Sequence, residues 1–254
     1  MRYGLHRMPP APPLLPGPAQ AAPARMPPGL KIYAVGDVHG CAERLDLLHQ
    51  AIGHDALRTP EAQKVIVYLG DYVDRGPDSR GVVARLLAPA PPGCERIFLK
   101  GNHEVMMLAA LAPGVPPEAV PFWLDNGGEE TLASYGADPS RPAGWNAAVP
   151  AAQRAFLDGL RTAWSAGGYL FAHAGIRPGV AVEAQEEEDL LWIREPFLSW
   201  KSEAAPPGVV VHGHTPARLP EVKPWRIGID TGAVFGGKLT AAVLWGDRLA
   251  FIQA

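Results

Sequence analysis

The sequence predicts an α/β fold in which two β-sheets form a sandwich flanked by helices, with a mainly helical cap insertion. Three observations predict it. In residues 31–99, short apolar runs that end near a glycine alternate with segments of helical periodicity, a pattern typical of βαβ units and a largely parallel sheet. Residues 104–165 are dominated by helical patterns broken by proline and glycine. The last third of the chain returns to short apolar runs, which we expect to form a second sheet of antiparallel strands.

The composition is that of one substantial globular domain. Of 254 residues, 47% are apolar and 19% are charged, which is enough to bury a core. The formal net charge of −3 gives no electrostatic reason to expect duplex nucleic acid as a partner. No run of about eighteen apolar residues exists, so we expect neither a membrane span nor a membrane partner. Cys41 and Cys94 are too few for a disulfide framework, which favours a cytoplasmic location.

The N-terminal segment is set apart by nine prolines, which exclude a helical signal peptide. We expect residues 1–30 to be a disordered arm rich in proline and alanine, and residues 31–254 to be the folded domain, with 104–165 as its helical cap. Met26 lies just before the first predicted strand. Translation starting at Met26 is therefore a hypothesis, which N-terminal sequencing of the native protein would decide.

The first half of the domain is predicted from runs that stop at or near a glycine and from leucines at helical spacing between them. Asp78 or Ser79 can cap the start of the second helix. The predicted elements are, in order, a strand at 31–35, a helix at 41–52, a strand at 65–69, a helix at 78–87 and a strand at 96–99.

The rest of the chain is expected to add two clear cap helices, three further strands and a hairpin that turns at Gly246 and Asp247. The aromatic side chains of Phe122 and Trp123 are expected in the core of the cap. The predicted elements are helices at 105–111 and 151–164, strands at 169–172, 209–211 and 226–229, and hairpin strands at 239–245 and 248–252.

Side chains that can bind metal ions follow the first three predicted strands, each directly after a glycine. Asp37 and His39 follow the first strand, Asp71 the second and Asn102 the third. Because the carboxyl ends of parallel strands meet at one edge of a sheet, we expect these side chains to converge. Asp37 and His39 are two residues apart and share a face of an extended segment. The two oxygens of Asp71 can bridge two cations.

Histidines follow two of the later strands, His173 after one and the pair His212 and His214 after the other. Together with the earlier residues they form a mixed set of imidazole, carboxylate and carbonyl donors, which suits borderline divalent ions. We therefore expect two divalent metal ions as cofactors, with manganese foremost and iron, zinc, cobalt or nickel as alternatives.

The order of these segments resembles that of a known family. GDVHG (36–40), GDYVDRG (70–76), GNHE (101–104), a later histidine after a strand and GHTP (213–216) are together similar to the calcineurin-like metallophosphoesterases. Within them, the pattern resembles the phosphoprotein phosphatase branch, especially bacterial and phage Ser/Thr phosphatases. The resemblance covers roughly residues 31–240 and implies a metallophosphoesterase-like α/β/β/α sandwich, in agreement with the prediction above.

The resemblance also implies a ligand set. The family ligand is the histidine of Gly-His-Thr, which selects His214 over His212 and leaves His212 as a supporting residue. Pro216 stands where the broader superfamily often has a further histidine, so three protein ligands are expected at the first metal. The implied ligands are Asp37, His39 and Asp71 for the first metal, and Asp71, Asn102, His173 and His214 for the second.

Catalytic roles follow from the same resemblance. Two cations would lower the pKa of a bridging water, so that hydroxide attacks the phosphorus in line. His103 would be the general acid that protonates the leaving group, with Asp74 orienting its ring. Arg75 and Arg194 would donate hydrogen bonds to the phosphate oxygens.

The expected activity is hydrolysis of phosphomonoesters, with phosphoserine or phosphothreonine in proteins as the leading substrate class and small phosphoesters also possible. An alternative with the same chemistry is a symmetrical bis(5'-nucleosyl)-tetraphosphate hydrolase, which shares most of these motifs. An alternative of another class is a metal-binding scaffold without catalysis. The sequence leaves the oligomeric state open.

One further segment has the look of a binding site but is not expected to be one. Residues 232–238 have the spacing of a phosphate-binding loop, but Leu239 stands where that loop requires serine or threonine. Because a strand rather than a helix is predicted to follow, we expect an ordinary turn.

Overall fold

The computed structural model describes residues 14–115, 118–201 and 208–254, which contain eleven strands and eight α-helices. The strands are β1 (Gln20–Ala21), β2 (Leu30–Val35), β3 (Gln63–Tyr68), β4 (Cys94–Phe98), β5 (Ala163–Ala166), β6 (Tyr169–Ala172), β7 (Val209–His212), β8 (Glu221–Val222), β9 (Arg226–Gly228), β10 (Thr240–Trp245) and β11 (Arg248–Gln253). The helices are α1 (Ala42–Arg58), α2 (Ser79–Leu87), α3 (Asn102–Leu111), α4 (Ala119–Trp123), α5 (Glu129–Ser134), α6 (Trp145–Ala148), α7 (Ala151–Asp158) and α8 (Glu187–Trp192).

The first sheet has the strand order β1-β11-β10-β2-β3-β4. Its strands β2, β3 and β4 run parallel, as the βαβ pattern predicts, with α1 and α2 as the crossovers. The hairpin of β10 and β11 joins this sheet, because β10 pairs antiparallel with β2. The prediction that this late hairpin belongs to the second sheet is therefore wrong. β10 is apolar on both faces, with Val243 in one core and Leu244 in the other, as a central strand requires.

The second sheet has the order β5-β6-β7-β9-β8, and its central strands β6, β7 and β9 run parallel. The expectation of an antiparallel second sheet is correct only for the edge strands β5 and β8. β6 and β7 can pair in parallel because the connection between them, which includes α8, returns the chain to the end of the sheet at which β6 begins. The carboxyl ends of β6 and β7 consequently lie together.

Apolar side chains hold the two sheets together and attach the helices. Ile32 and Val67 of the first sheet share a core with Phe171 and Val211 of the second. The other face of the first sheet packs against α1 and α2, and α8 packs against the second sheet, where Leu190 joins β6 and β7. The two-sheet sandwich flanked by helices is thus confirmed.

The cap is mainly helical, as predicted, but two details differ. The helix expected at 151–164 ends at Asp158, where Gly159 follows, and Trp164 instead lies in β5 opposite Phe171, with their ring centroids 5.5 Å apart. The prediction of core positions holds for Trp123, which is fully buried, but Phe122 is 51% exposed. Its ring lies 6.3 Å from that of Trp192 in α8.

Residues 14–30 differ from the expected disordered arm. Gln20 and Ala21 pair with β11 at the edge of the first sheet, and Met26 is 1% exposed within the core between the sheets. The amide of Ala22 donates to the carbonyl of Asp247, which adds to the attachment. An ordered segment is possible despite its prolines because it pairs at a sheet edge, where a missing N–H is tolerated. The first thirteen residues of the predicted arm lie outside the described residues.

Within the described part of the chain, no helix combines the length and the apolar character that crossing a membrane requires.

Candidate metal centre

The strand ends of both sheets deliver the predicted ligands to one buried pocket. Five connections contribute, those after β2, β3, β4, β6 and β7. The side chains reach one another across loops more than a hundred residues apart in sequence, as in the contact between Asn102 and His214. Every predicted ligand is at most 7% exposed; these are Asp37, His39, Asp71, Asn102, His173 and His214.

Asp71 lies at the centre of the pocket. Its Oδ2 is 3.4 Å from Nε2 of His39, 3.4 Å from Nε2 of His173 and 4.0 Å from Nε2 of His103. Two groups of possible ligand atoms share it, each with all its atoms within 4.8 Å of one another: His39, Asp71 and His103, and Asp71, His173 and His214. One carboxylate therefore lies between two clusters of imidazoles, the arrangement that a bridging ligand needs.

Backbone carbonyls fix the orientation of two imidazoles. Nδ1 of His39 lies 2.8 Å from the carbonyl oxygen of Val73, and Nδ1 of His173 lies 3.0 Å from that of Leu69. Because each Nδ1 must donate its hydrogen to a carbonyl, Nε2 of each ring faces Asp71 and is the atom placed to bind a metal ion. Nε2 of His214 is buried and has no hydrogen-bond partner among the described residues. An orphaned nitrogen of this kind fits a metal ligand.

Asp37 and Asn102 complete the predicted set. The Asp37 carboxylate accepts the backbone N–H of His214 at 3.0 Å, which ties the end of β2 to the end of β7. Oδ1 of Asn102 lies 2.9 Å from Nε2 of His173 and 3.1 Å from Nδ1 of His214, within the second cluster. Asn102 thus lies in the second cluster, and Asp37 lies beside it against the backbone of His214.

Burial keeps most of these imidazoles neutral. It lowers the pKa of His39 and His214 to about 3 and that of His103 to about 4, so each ring offers a lone pair at neutral pH. Burial also opposes protonation of His173, but the adjacent Asp71 carboxylate raises the pKa of His173 to about 9. Burial likewise disfavours ionised Asp71, yet His173 and His103 hold the pKa of Asp71 well below its ordinary value. A metal ion bound by Asp71 and His173 would replace the proton on the imidazole.

The predicted pair of His103 and Asp74 is formed. Nδ1 of His103 lies 2.8 Å from Oδ2 of Asp74. The Asp74 carboxylate also accepts the indole N–H of Trp123 at 3.0 Å and the hydroxyl of Thr131 at 2.7 Å. Burial raises the pKa of Asp74, and the donors Thr131 and Trp123 oppose that shift. The cap residues Trp123 and Thr131 thereby hold Asp74, which in turn fixes the ring of His103.

The two predicted arginines occupy different positions. Nη1 of Arg75 lies 3.0 Å from Nε2 of His39, so its guanidinium reaches the edge of the centre. Arg194 is exposed and follows α8, and its charge contributes to lowering the pKa of His214. His212 is buried and faces away from the two clusters, with Nε2 3.4 Å from Nη1 of Arg226. A supporting place for His212 agrees with the prediction.

Glu104 is a site residue that the sequence reasoning missed. Its buried carboxylate accepts the backbone N–H groups of Asp71 at 2.8 Å, Tyr72 at 2.7 Å and Gly101 at 2.9 Å. It also forms a longer bond of 3.3 Å with the amide of Val73. Burial and the charge of Asp71 raise the pKa of Glu104 to about 7. An acidic residue at the third position of α3, the position of a capping box, was the signal that could have identified it.

Asp230 is the second missed residue. It lies two positions after β9, is 7% exposed and accepts the N–H of Gly232 at 3.0 Å. Burial raises the pKa of Asp37, and the charge of Asp230 raises it further. Asp230 therefore places a further carboxylate beside the centre. It follows an apolar strand, as the earlier ligands do, but it lies before a glycine-rich turn and not directly after a glycine.

The backbone is strained where the site is built. All the non-glycine residues with positive φ in the described chain belong to the site: His39, Asp71, Asp74, Arg75 and His214, with φ between 41° and 70°. Such angles cost energy for residues with a Cβ and persist where surrounding contacts enforce them. Gly70 has φ 105° and packs directly on the backbone of Gly101, so a side chain there would separate two ligand loops.

A cavity of about 570 Å³ adjoins the centre and is named the α8 cavity. The ring of Trp192, one of its lining residues, lies 6.4 Å from that of His214. Arg177 is paired with Asp189 at 2.6 Å, whereas Arg194 forms no salt bridge with any residue that the structure describes. Five carboxylates and two arginines line this cavity: Glu186, Glu187, Glu188, Asp189, Glu195, Arg177 and Arg194.

Comparisons with known proteins agree on one family of phosphoesterases. The model of the calcineurin-like phosphoesterase family matches residues 30–244. Serine/threonine-protein phosphatase 1 of Salmonella typhimurium is 31% identical over 223 residues, which cover 83% of this chain and 90% of that protein. The asymmetrical bis(5'-nucleosyl)-tetraphosphatase PrpE of Bacillus thuringiensis is 26% identical over 237 residues, covering 84% of this chain and 89% of that protein.

Solved structures agree on the fold. A structure provisionally described as a diadenosine tetraphosphatase superposes with a TM-score of 0.61 at 25% identity, covering 91% of this chain and 98% of that one. A cold-active protein tyrosine phosphatase superposes with a TM-score of 0.55 at 17% identity, covering 89% and 78% of the two chains. The second likeness bears on the fold alone.

Proposed function

Because this chain belongs to the calcineurin-like phosphoesterase family, we propose that it uses two divalent metal ions to hydrolyse phosphomonoesters, with phosphoserine and phosphothreonine in proteins as substrates. The observation that carries the proposal is the position of Asp71 between two imidazole clusters, next to the hydrogen-bonded pair of His103 and Asp74. Phosphoric ester hydrolysis is the activity of the family, and the substrate class is the proposed refinement.

The donor set fits a pair of metal ions. Neutral imidazoles, a shared carboxylate and the orphaned Nε2 of His214 are the features that a dinuclear site needs. We assign manganese as the first ion to test. When bound, the ions supply positive charge that activates water and holds phosphate oxygens. The proposed ligands are Asp37, His39 and Asp71 for one ion, and Asp71, Asn102, His173 and His214 for the other.

His103 is proposed to protonate the leaving oxygen. Its Nδ1 is engaged by Asp74, so the remaining nitrogen, Nε2, faces the pocket 4.0 Å from Oδ2 of Asp71. In the protein alone burial lowers the pKa of His103 to about 4, so the acid role requires the bound phosphate's negative charge to offset that burial and let Nε2 carry the proton that passes to the alkoxide. His103 also belongs to the cluster of His39 and Asp71. Its greater distance from Asp71 and its bond to Asp74 favour the acid role over a ligand role.

Arg75 and Arg194 are proposed to contact the phosphate. Arg75 reaches the centre at His39, and Arg194 lines the α8 cavity near enough to His214 for its charge to lower the pKa of that histidine. A guanidinium can donate two parallel hydrogen bonds to phosphate oxygens, which orients the ester and offsets the charge that develops as it breaks.

The α8 cavity favours a phosphoprotein over a dinucleoside polyphosphate. Its lining carries three more acidic than basic residues, five against two, beside a pocket that receives the phosphate. The leaving group of a dinucleoside tetraphosphate is itself a polyanion and would be repelled by these carboxylates. A peptide chain with basic residues near its phosphoserine would be attracted.

Hydrolysis of p-nitrophenyl phosphate with and without manganese tests the catalytic proposal. We expect turnover that requires the metal, is abolished by a chelator and is lost in Asp71→Asn. A wild-type protein that binds manganese but hydrolyses no phosphoester would instead identify a non-catalytic metal-binding scaffold.

A matched pair of substrates tests the substrate class. We expect phosphoserine peptides with flanking lysine or arginine to give a higher kcat/KM than diadenosine tetraphosphate. The second candidate function, a bis(5'-nucleosyl)-tetraphosphatase, is favoured by the likeness to PrpE, whose name specifies asymmetrical cleavage. If diadenosine tetraphosphate is the better substrate, the products decide between the two modes, since symmetrical cleavage gives two ADP and asymmetrical cleavage gives ATP and AMP.

A further inference from the structure

An exposed aromatic ring lies at the rim of the metal centre. Phe235 is 66% exposed, whereas most large apolar side chains of the chain are buried. An exposed phenyl ring contributes nothing to the core and leaves apolar surface in water. Other large apolar side chains such as Leu219 are equally exposed, and what sets Phe235 apart is its contact with a residue of the site.

The turn that carries Phe235 is held in place by hydrogen bonds on both sides. The amide of Phe235 donates to the carbonyl of Gly232 at 2.9 Å, and so does the amide of Gly237. The Thr231 hydroxyl donates to the carbonyl of Lys238 at 2.6 Å, and Arg44 donates to the carbonyl of Gly237 at 2.6 Å. The ring is thus presented by a fixed backbone.

The partner of the exposed ring is Arg75. The guanidinium carbon of Arg75 lies 5.7 Å from the centroid of the Phe235 ring, within the range of a cation–π contact. The backbone N–H of Arg75 donates to the carbonyl of Gly127 in the cap at 3.1 Å, and its Nη1 contacts Nε2 of His39. Arg75 is therefore held from the cap side through its backbone and from the opposite side through its guanidinium.

We propose that Phe235 is a positioning residue, whose ring holds the Arg75 guanidinium at the edge of the metal centre so that it is ready to receive phosphate oxygens. The inference rests on the proposed function, because it assumes that Arg75 contacts the phosphate. A long arginine side chain loses rotamer freedom when it binds an anion, and a ring that restricts it beforehand reduces that loss.

Affinity for inorganic phosphate, measured by calorimetry on manganese-loaded protein, tests the proposal without relying on turnover. We expect Phe235→Leu to weaken phosphate binding by about 2- to 5-fold, and Phe235→Trp to restore it. Leu219→Ala is the matched control, since Leu219 is 67% exposed and unchanged affinity is expected there.

A double-mutant cycle separates positioning from direct contact. In an Arg75→Ala background, Phe235→Leu should have no further effect on phosphate affinity, because there is no guanidinium left to position. An equal loss with and without Arg75 would mean that Phe235 touches the ligand itself and would overturn the proposal. An unchanged affinity in Phe235→Leu would also overturn it.

A structural readout distinguishes failure of the inference from failure of the proposed function. In zinc-loaded protein, the Arg75 side-chain resonances should show a ring-current shift that disappears in Phe235→Leu. If the wild-type protein binds phosphate but shows no such shift, the inference falls and the proposed function stands. If the wild-type protein binds no phosphate at all, the proposed function falls, and the inference falls with it.

Discussion

The metal centre and the α8 cavity lie side by side and are built in different ways. At the centre, every predicted ligand is at most 7% exposed and several are fixed by backbone groups from neighbouring loops. In the cavity, most charged side chains are exposed and lie on one short helix and the turns around it. Under the proposed function, chemistry that needs fixed geometry would be placed on strand ends, and substrate recognition would be left to a surface whose charges can change without disturbing the fold.

The largest effect is expected from the residue shared by both clusters. Asp71→Asn keeps the shape of the side chain and removes the charge that offsets both cations. Because metal-based stabilisation is worth several kcal/mol, we expect kcat/KM for p-nitrophenyl phosphate to fall by roughly 10³-fold or more. Metal content by mass spectrometry should fall in parallel. An active Asp71→Asn enzyme with full metal content would remove Asp71 from the bridging role.

The next effect tests whether the rigidity of the centre depends on Glu104. Glu104→Gln replaces one acceptor oxygen by an NH₂ group that faces backbone N–H donors, so buried donors lose their partner. We expect the free energy of unfolding to fall by about 2–4 kcal/mol, measured by urea denaturation of the metal-free protein. Glu95→Gln is the control, because Glu95 is exposed. Equal stability of the two variants would show that Glu104 does not hold the ligand loops.

The sequence predicted those features of the site that local patterns determine and missed those that pairing or contacts between segments determine. The ligands were predictable because each follows an apolar strand and a glycine, and parallel strands end at one edge. The capping position of Glu104 on α3 could have indicated its local bond to Gly101, but its main role, accepting backbone N–H groups of a loop some thirty residues away, has no local pattern. The edge pairing of Gln20 and Ala21 was missed because their partner β11 is distant in sequence, and the strand at Trp164 was missed because pairing with the neighbouring strand β6 overrides the helical pattern.

A half-buried histidine outside the centre shows that a lowered pKa does not by itself mark a ligand. His49 accepts or donates a hydrogen bond with the Tyr68 hydroxyl at 2.8 Å, and burial lowers its pKa to about 4. Below about pH 6.5 this histidine is protonated in the unfolded chain but stays neutral in the folded chain. The free energy of unfolding therefore falls as the pH falls from 6.5 towards 4. We expect His49→Gln to remove about 1–2 kcal/mol of this pH dependence.

Urea denaturation at several pH values between 4 and 7 measures that change. His54→Gln is the control, because it removes another histidine of α1. If the free energy of unfolding depends on pH equally in wild type and in His49→Gln, the lowered pKa of His49 makes no measurable contribution to acid unfolding.

The smallest effect addresses the α8 cavity. Glu186 and Glu188 are exposed, so changing both to lysine should leave folding and metal content intact while reversing the local field. We expect kcat/KM to fall about 3- to 10-fold for a basic phosphopeptide and to rise by a similar factor for diadenosine tetraphosphate, with both changes shrinking as salt is added.

The matched control is Glu95→Lys, which changes the charge by the same sign on β4, outside the cavity lining. It should leave the ratio of the two substrates unchanged. If changing Glu186 and Glu188 to lysine alters neither the ratio of kcat/KM for the two substrates nor its dependence on salt, the carboxylates of the α8 cavity do not face the leaving group. Selection between phosphoprotein and dinucleotide would then have to come from another surface, such as the cap, where the exposed ring of Phe122 lies 6.3 Å from that of Trp192.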